Sequence, residues 1–184
     1  MRRRKWTCFA VCVFIALMLF GCNQVTDRQS ATENVTTIPS ETENTENTNK
    51  TFSLDGVQIT LPGYFKEESA TGIFASFFDE YSVILLHREP FTEHPSLEMY
   101  TLEEYGEKLI QARNINAALQ KTDGLLCFEY ELNVGDGSVK YNYFVVLFKT
   151  NSDFWIFEFV SDSREAQDHR EEFIQWAKTV KFAD

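Results

Sequence analysis

Leu125 to Val160 reads LLCFEYELNVGDGSVKYNYFVVLFKTNSDFWIFEFV. Three apolar, aromatic-rich runs, Leu125 to Val134, Val139 to Lys149 and Phe154 to Val160, are separated by Gly135-Asp136-Gly137 and Asn151-Ser152-Asp153. Glycine, asparagine and aspartate accept the backbone angles of tight turns, so the pattern predicts a three-stranded antiparallel meander. In the last run Trp155, Phe157 and Phe159 alternate with residues that are also apolar, Glu158 excepted. A strand apolar on both faces belongs in the middle of a sheet that is covered on both sides. Tyr141 and Tyr143 lie on its expected neighbour, where core packing is the ordinary use of such rings.

Working back towards the N-terminus, Phe52 to Leu54 and Val57 to Leu61 alternate apolar and polar about Asp55-Gly56, which signals a hairpin with a two-residue turn. Lys66 to Thr71 reads as a polar loop, and Ile73 to Phe78 and Tyr81 to His87 as two further strands. The stretch through Pro90 and Pro95 is irregular. Thr101-Leu102-Glu103-Glu104 has the pattern of a capping box, in which hydroxyl and carboxylate each satisfy a free amide of the first turn. Leu102, Tyr105, Leu109, Ile110 and Ala112 then recur at helical spacing. A short strand is expected over Ile115 to Leu119. A second helix is expected from about Arg164 to Val180, with Ala166, Phe173, Ile174, Ala177 and Val180 on one stripe. The expectation is an α+β domain over residues 51–184, a largely antiparallel β-sheet with helices packed on it.

Three stretches resemble the PsbP-like superfamily, whose members include photosystem accessory proteins and many bacterial lipoproteins. They are Gly56-Val57-Gln58-Ile59-Thr60-Leu61-Pro62-Gly63-Tyr64; Ser96-Leu97-Glu98-Met99-Tyr100 running into the first helix; and Phe154 to Phe159 followed by a helix ending Trp176-Ala177-Lys178-Thr179-Val180-Lys181-Phe182. The resemblance spans nearly all of residues 51–184. It implies an α-β-α sandwich and a non-enzymatic accessory role, and it carries no catalytic residue over.

The first residues give an address. Arg2, Arg3, Arg4 and Lys5 precede an apolar run from Trp6 to Phe20, the layout of a secretory signal. As a helix those residues would span about 22 Å, short of the roughly 30 Å of a bilayer core. Leu19-Phe20-Gly21-Cys22 resembles the lipobox of bacterial prolipoproteins. The resemblance implies a signal peptide over 1–21, cleavage before Cys22 and a diacylglyceryl group on the Cys22 thiol, since two acyl chains anchor stably where one does not. The expected localisation is therefore the extracytoplasmic face of a cell membrane, with the membrane as a partner through lipid on Cys22. From Asn23 to Lys50 the chain is mostly Thr, Asn, Glu, Ser and Gln, too polar to offset its ordering entropy. With Cys22 it reads as a flexible tether, residues 22–50, reaching about 30 Å. Cys8 and Cys12 leave with the signal and Cys22 takes lipid, so Cys127 stands alone, a small buried hydrophobe in an apolar strand.

The chain carries a formal net charge of −11, and loss of the four basic signal residues leaves thirteen bases against twenty-eight acids. No Lys/Arg stripe offsets that sign, so nucleic acid is excluded as a partner. His87, Glu89, Glu93 and His94 are the densest group of potential metal ligands, but Pro90 breaks the spacing that zinc sites use and no calcium-loop pattern occurs. No metal or cofactor is expected. No nucleophile elbow, dinucleotide fingerprint, phosphate loop or zinc-protease motif is present. Glu103, Glu104 and Glu107 read as the solvated face of a helix. Glu129, Glu131 and Glu158 mark either the wet face or edge of the sheet or, on a sharper reading, a carboxylate line in a ligand groove. The function expected is a non-catalytic accessory or protein-binding role in the cell envelope, with an envelope protein as partner. The alternative is a small-ligand or cell-wall binder, and an enzyme ranks last.

Overall fold

The computed structural model describes residues 48–69, 71–134, 139–163 and 169–183. Its elements are β1 (Asn49–Leu54), β2 (Val57–Pro62), β3 (Lys66–Glu68), β4 (Ala75–Phe78), β5 (Ser82–Pro90), α1 (Leu102–Arg113), β6 (Gln120–Thr122), β7 (Leu125–Val134), β8 (Val139–Lys149), β9 (Asp153–Asp162), α2 (Arg170–Ala177) and β10 (Lys181–Phe182). The stretches read from the sequence as signal, lipidated Cys22 and nearly all of the tether lie outside the described residues, as do positions 164–168.

Seven strands form one sheet in the order β3-β4-β5-β9-β8-β7-β6, and three form a second in the order β1-β2-β10. Every pairing is antiparallel. The meander appears as β7-β8-β9, and β9 is the middle strand of the seven. It is covered on both faces, with Trp155, Phe157 and Phe159 in one core and Phe154, Ile156 and Val160 in the other. The first core is closed by the small sheet and α2, through Phe52, Ile59, Phe173 and Trp176. The second is closed by α1, through Tyr105 and Leu109. Helix, sheet and helix with its small sheet make an α-β-α sandwich of the α+β class.

Local chemistry explains the elements that place these layers. Asp55 (φ 27°) and Gly56 (φ 88°) form the two-residue turn of the β1-β2 hairpin, where left-handed backbone favours aspartate and glycine. Thr101 caps α1: its Oγ1 accepts from the Glu104 amide at 3.2 Å, while the Glu104 carboxylate accepts from the Thr101 amide at 2.8 Å. Asn114 ends the helix in the left-handed conformation. Gly106 lets α1 approach closely, since a Cβ there would stand 2.8 Å from methyl carbons of both Leu119 and Leu147.

Several boundaries differ from the sequence reading. Lys66–Glu68, read as loop, is strand β3, fully exposed and held by main-chain pairing to β4. The strand expected at Ile115 to Leu119 is absent; those residues form no ladder, the apolar side chains of Ile115, Ala117 and Leu119 join the α1-side core, and the short strand β6 follows instead. The last helix is described only from Arg170 to Ala177, and the chain beyond it turns into β10, which pairs with β2. β5 runs on to Pro90, where Phe91 continues the register by donating its amide to Ser152.

Candidate functional site

Glu158 stands at the centre of the α1 side of the large sheet. Because the Phe154 to Val160 run of β9 is apolar on both faces, the one carboxylate within that run is carried into the core, with 6% of its side chain exposed. The reading of Glu158 as a wet-face residue is thus corrected: α1 and its flanks cover it. Its partner is Arg113, the last residue of α1, whose Nη1 donates to Oε1. Burial works against the Arg113 charge, but Glu158 outweighs it and holds the guanidinium above its ordinary pKa. His87 on β5 lies with Nε2 3.7 Å from the same Oε1.

Three tyrosines surround the pair. Tyr105 of α1 stacks flat on Phe154, with ring centres 3.9 Å apart. Tyr130 of β7 stacks on Tyr143 of β8 at 4.6 Å. Burial, then the Glu158 charge, pushes the Tyr143 hydroxyl up to about 12 and raises that of Tyr130. Burial, then Glu89, raises Tyr105, whose hydroxyl is buried without a hydrogen bond of ordinary geometry although Glu89 is near. These shifts oppose ionisation, so the cluster is a neutralised ion pair in a phenolic setting.

Burial lowers the His87 pKa, and Arg113 adds to this while Glu158 and Glu89 oppose it. The unfolded chain therefore binds a proton at His87 at higher pH than the folded one does, and stability is lost as pH falls below the ordinary histidine range of about 6.5. Wild type is expected to lose more stability between pH 7 and pH 5.5 in urea melts than a His87→Gln chain. Equal losses would contradict this placement of the imidazole.

The four residues of the possible metal cluster part company. His87 faces the α1 side, Glu89 lies near Tyr105, and Glu93 and His94 are exposed on the following turn. Among the described residues no three His, Cys, Asp or Glu side chains gather as a metal would require. The carboxylate line is likewise divided. Glu129 and Glu131 lie on the opposite face of β7 from Phe128, Glu129 accepting from Arg170 Nε at 2.9 Å and Glu131 pairing with Lys140. Cys127 is fully buried, its thiol raised by burial.

Two grooves open on the surface. One, of about 490 Å³, lies where β4 stops short of the end of β5 and is bordered by Phe74, His87, Arg88, Thr92 and Glu93. Arg88 there is committed: its Nε donates to the buried Asp153 at 2.7 Å and its Nη1 to Asp55 at 2.7 Å. The other, of about 320 Å³, lies beside the start of α2, between Glu129, Ser161 and Phe173.

α1 covers only part of its face. Beyond Arg113 an apolar row crosses four strands, Val83, Val160, Tyr143 and Tyr130, with Tyr141 and Leu132 beside it; Val160 and Tyr143 are buried, Tyr130 and Tyr141 half-buried, and the row reaches the surface at Val83 and Leu132. Val83 is 38% exposed, Leu132 41% and Tyr81, just before β5, 49%. Nothing in the sequence marked this row, because the shortfall of α1 across the sheet is a tertiary fact.

The architecture is thus an antiparallel sheet between helical layers, with its buried carboxylates Glu158 and Asp153 each paired to an arginine. That fold is PsbP-like: the chain superposes on the solution structure of cyanobacterial PsbP (CyanoP) from Synechocystis sp. PCC 6803 with a TM-score of 0.52 and 14% identity, over 78% of this chain and 96% of that one. A crystal structure from Bacteroides thetaiotaomicron VPI-5482 aligns with a TM-score of 0.47 and 12% identity, over 70% of this chain and 45% of that one. No family model matches the sequence, and no curated protein matches it. Among the described residues no helix is long and apolar enough to cross a membrane.

Proposed function

We propose that this chain is a membrane-anchored extracytoplasmic lipoprotein whose domain acts without catalysis, as an accessory that binds another protein of the cell envelope. The observation that carries the reading is exposed Val83 and Leu132, with half-buried Tyr141, on the sheet face left open where α1 ends. Large exposed apolar side chains gathered on one sheet face suit a protein contact, where aromatic residues contribute most. The likeness of fold to CyanoP fits an accessory role, and the lipobox-like Leu19-Phe20-Gly21-Cys22 supports the anchor.

The second reading, a small-ligand or cell-wall binder, draws on the groove of about 490 Å³ beside Phe74 and Arg88. Its charged wall is occupied by the Arg88-Asp153-Asp55 network, which leaves few groups to grip a ligand.

The anchor has its own test: Cys22→Ala is expected to abolish lipid labelling and to leave unprocessed precursor or released protein. Full acyl labelling of that variant would refute the anchor. Binding is tested by placing a photo-crosslinking residue at Leu132 or, as control, at Glu103 on the outer side of α1, in intact cells. A discrete crosslinked protein is expected from position 132 and not from 103. Identical patterns from both positions would remove the support for this face.

A further inference from the structure

Among the described residues nothing pairs with the outer side of β1, a sheet edge, along its whole length. The two-residue turn makes Leu54 and Val57 a hydrogen-bonded pair, so the N–H and C=O groups of Leu54, Phe52 and Lys50 point to β2, and those of Ser53, Thr51 and Asn49 point outward. The far side of β2 confirms the alternation, because Thr60 turns its amide and carbonyl away from β1 to the Thr179 hydroxyl, at 2.9 and 3.1 Å. Where β10 stops short, a side chain thus closes that edge. Among the described residues no group does the same for β1.

Other open stretches are guarded. β3 carries Lys66, Glu67 and Glu68; the part of β7 beyond β6 carries Glu129 and Glu131; the end of β5 carries Pro90. Charges and proline at such places discourage a second strand. β1 has only Lys50, whose ammonium lies 4.3 Å from the centre of the Phe52 ring.

We propose that β1 is a self-association edge, at which a second copy of this chain pairs antiparallel along Asn49–Leu54 about a two-fold axis at Thr51. The outward row of alternating donors and acceptors is matched by an extended backbone, and every copy brings the same one. Only pairs formed by the outward-pointing residues are allowed, and the centred register sets Thr51 against Thr51 and Asn49 against Ser53 of the other copy. On the other face it sets Lys50 against Phe52. No like charges meet, threonine pairs favour such positions, and a cation beside a ring is attractive. The result is a continuous sheet, β10-β2-β1 joined to β1-β2-β10, with the isologous symmetry common in dimers.

The register makes the proposal testable in the full chain by cysteine crosslinking under a mild oxidant. Opposed residues of a hydrogen-bonded antiparallel pair have Cα atoms about 5.5 Å apart, within disulfide reach. The two Ser53 positions would lie about 13 Å apart along the strands. Thr51→Cys is therefore expected to convert the monomer band to one of twice the mass on a non-reducing gel, above the parent chain with its own cysteines, and Ser53→Cys is not. A chain carrying Asn49→Cys and Ser53→Cys together is expected to crosslink where neither single substitution does, which also guards against a poorly folded Thr51 variant. If Thr51→Cys and the double variant give no more dimer than the parent, or if Ser53→Cys alone crosslinks as well as either, the proposal fails.

Discussion

Phe173→Ala is expected to lower the free energy of unfolding by about 3–5 kcal/mol, the range for a buried phenylalanine cut back to a methyl. Phe173 is 3% exposed and occupies the centre of the layer formed by α2. Its ring lies 5.5 Å from Phe159 of the central strand and 5.6 Å from Trp176 one turn on, and Trp176 in turn meets Phe65 edge-on at 5.1 Å. A void there has aromatic walls on several elements, and packed rings cannot all close on it. α2 is eight residues long, and its N-cap His169 makes no side-chain capping bond. Such a helix has little stability of its own and depends on this face. A loss below about 1 kcal/mol in urea melts would show that α2 is not docked through Phe173.

Arg113→Met is expected to cost about 3 kcal/mol, because it strips Glu158 of the cation that compensates its burial. Among the described residues Glu158 then keeps only the His87 ring within ion-pair distance, 3.7 Å away. Arg113 retains 31% side-chain exposure, so water offers some relief and the lower end of the range for a broken buried pair applies. The sign of the second substitution is more telling. In an Arg113→Met, Glu158→Leu chain the uncompensated charge is gone, and apolar replacement of a whole buried pair is close to neutral in well-packed sites. The double variant is therefore expected to be more stable than Arg113→Met alone, with a coupling well above that of independent sites. Strictly additive losses would mean that the two side chains do not form a unit.

What the sequence made legible was local. The β7-β8-β9 meander, the Asp55-Gly56 turn and the Thr101-Glu104 capping box each rest on residues within a few positions of one another, and all three appear in the structure. β3 and β10 were not legible for a shared reason. Lys66–Glu68 is exposed at every position, and Lys181–Phe182 is two residues long, so neither has a pattern; each exists because a distant strand offers main-chain partners. Ile115, Ala117 and Leu119 alternate as a strand does, but α1 takes their side chains into its core without a ladder forming. Glu158 stood out as the one carboxylate in an apolar strand. Its burial depended on Arg113, forty-five residues earlier, and on where α1 ends, neither of which spacing reveals.

The same distinction governs function. Buried carboxylates paired with arginines, Glu158 with Arg113 and Asp153 with Arg88, and the half-exposed pair Glu129 with Arg170 position the layers of the fold. Val83 and Leu132, exposed beyond α1, take no part in such a pair. The measurement that tests this most directly compares two full-length variants for recovery, by crosslinking from intact cells, of the proposed envelope partner. Val83→Glu with Leu132→Glu charges the row, and His87→Ala with Glu93→Ala alters the groove. Recovery is predicted to be lost in the first and kept in the second, with both chains folded by circular dichroism. Recovery kept in the first and lost in the second would contradict the assignment and move the function to the groove beside β5.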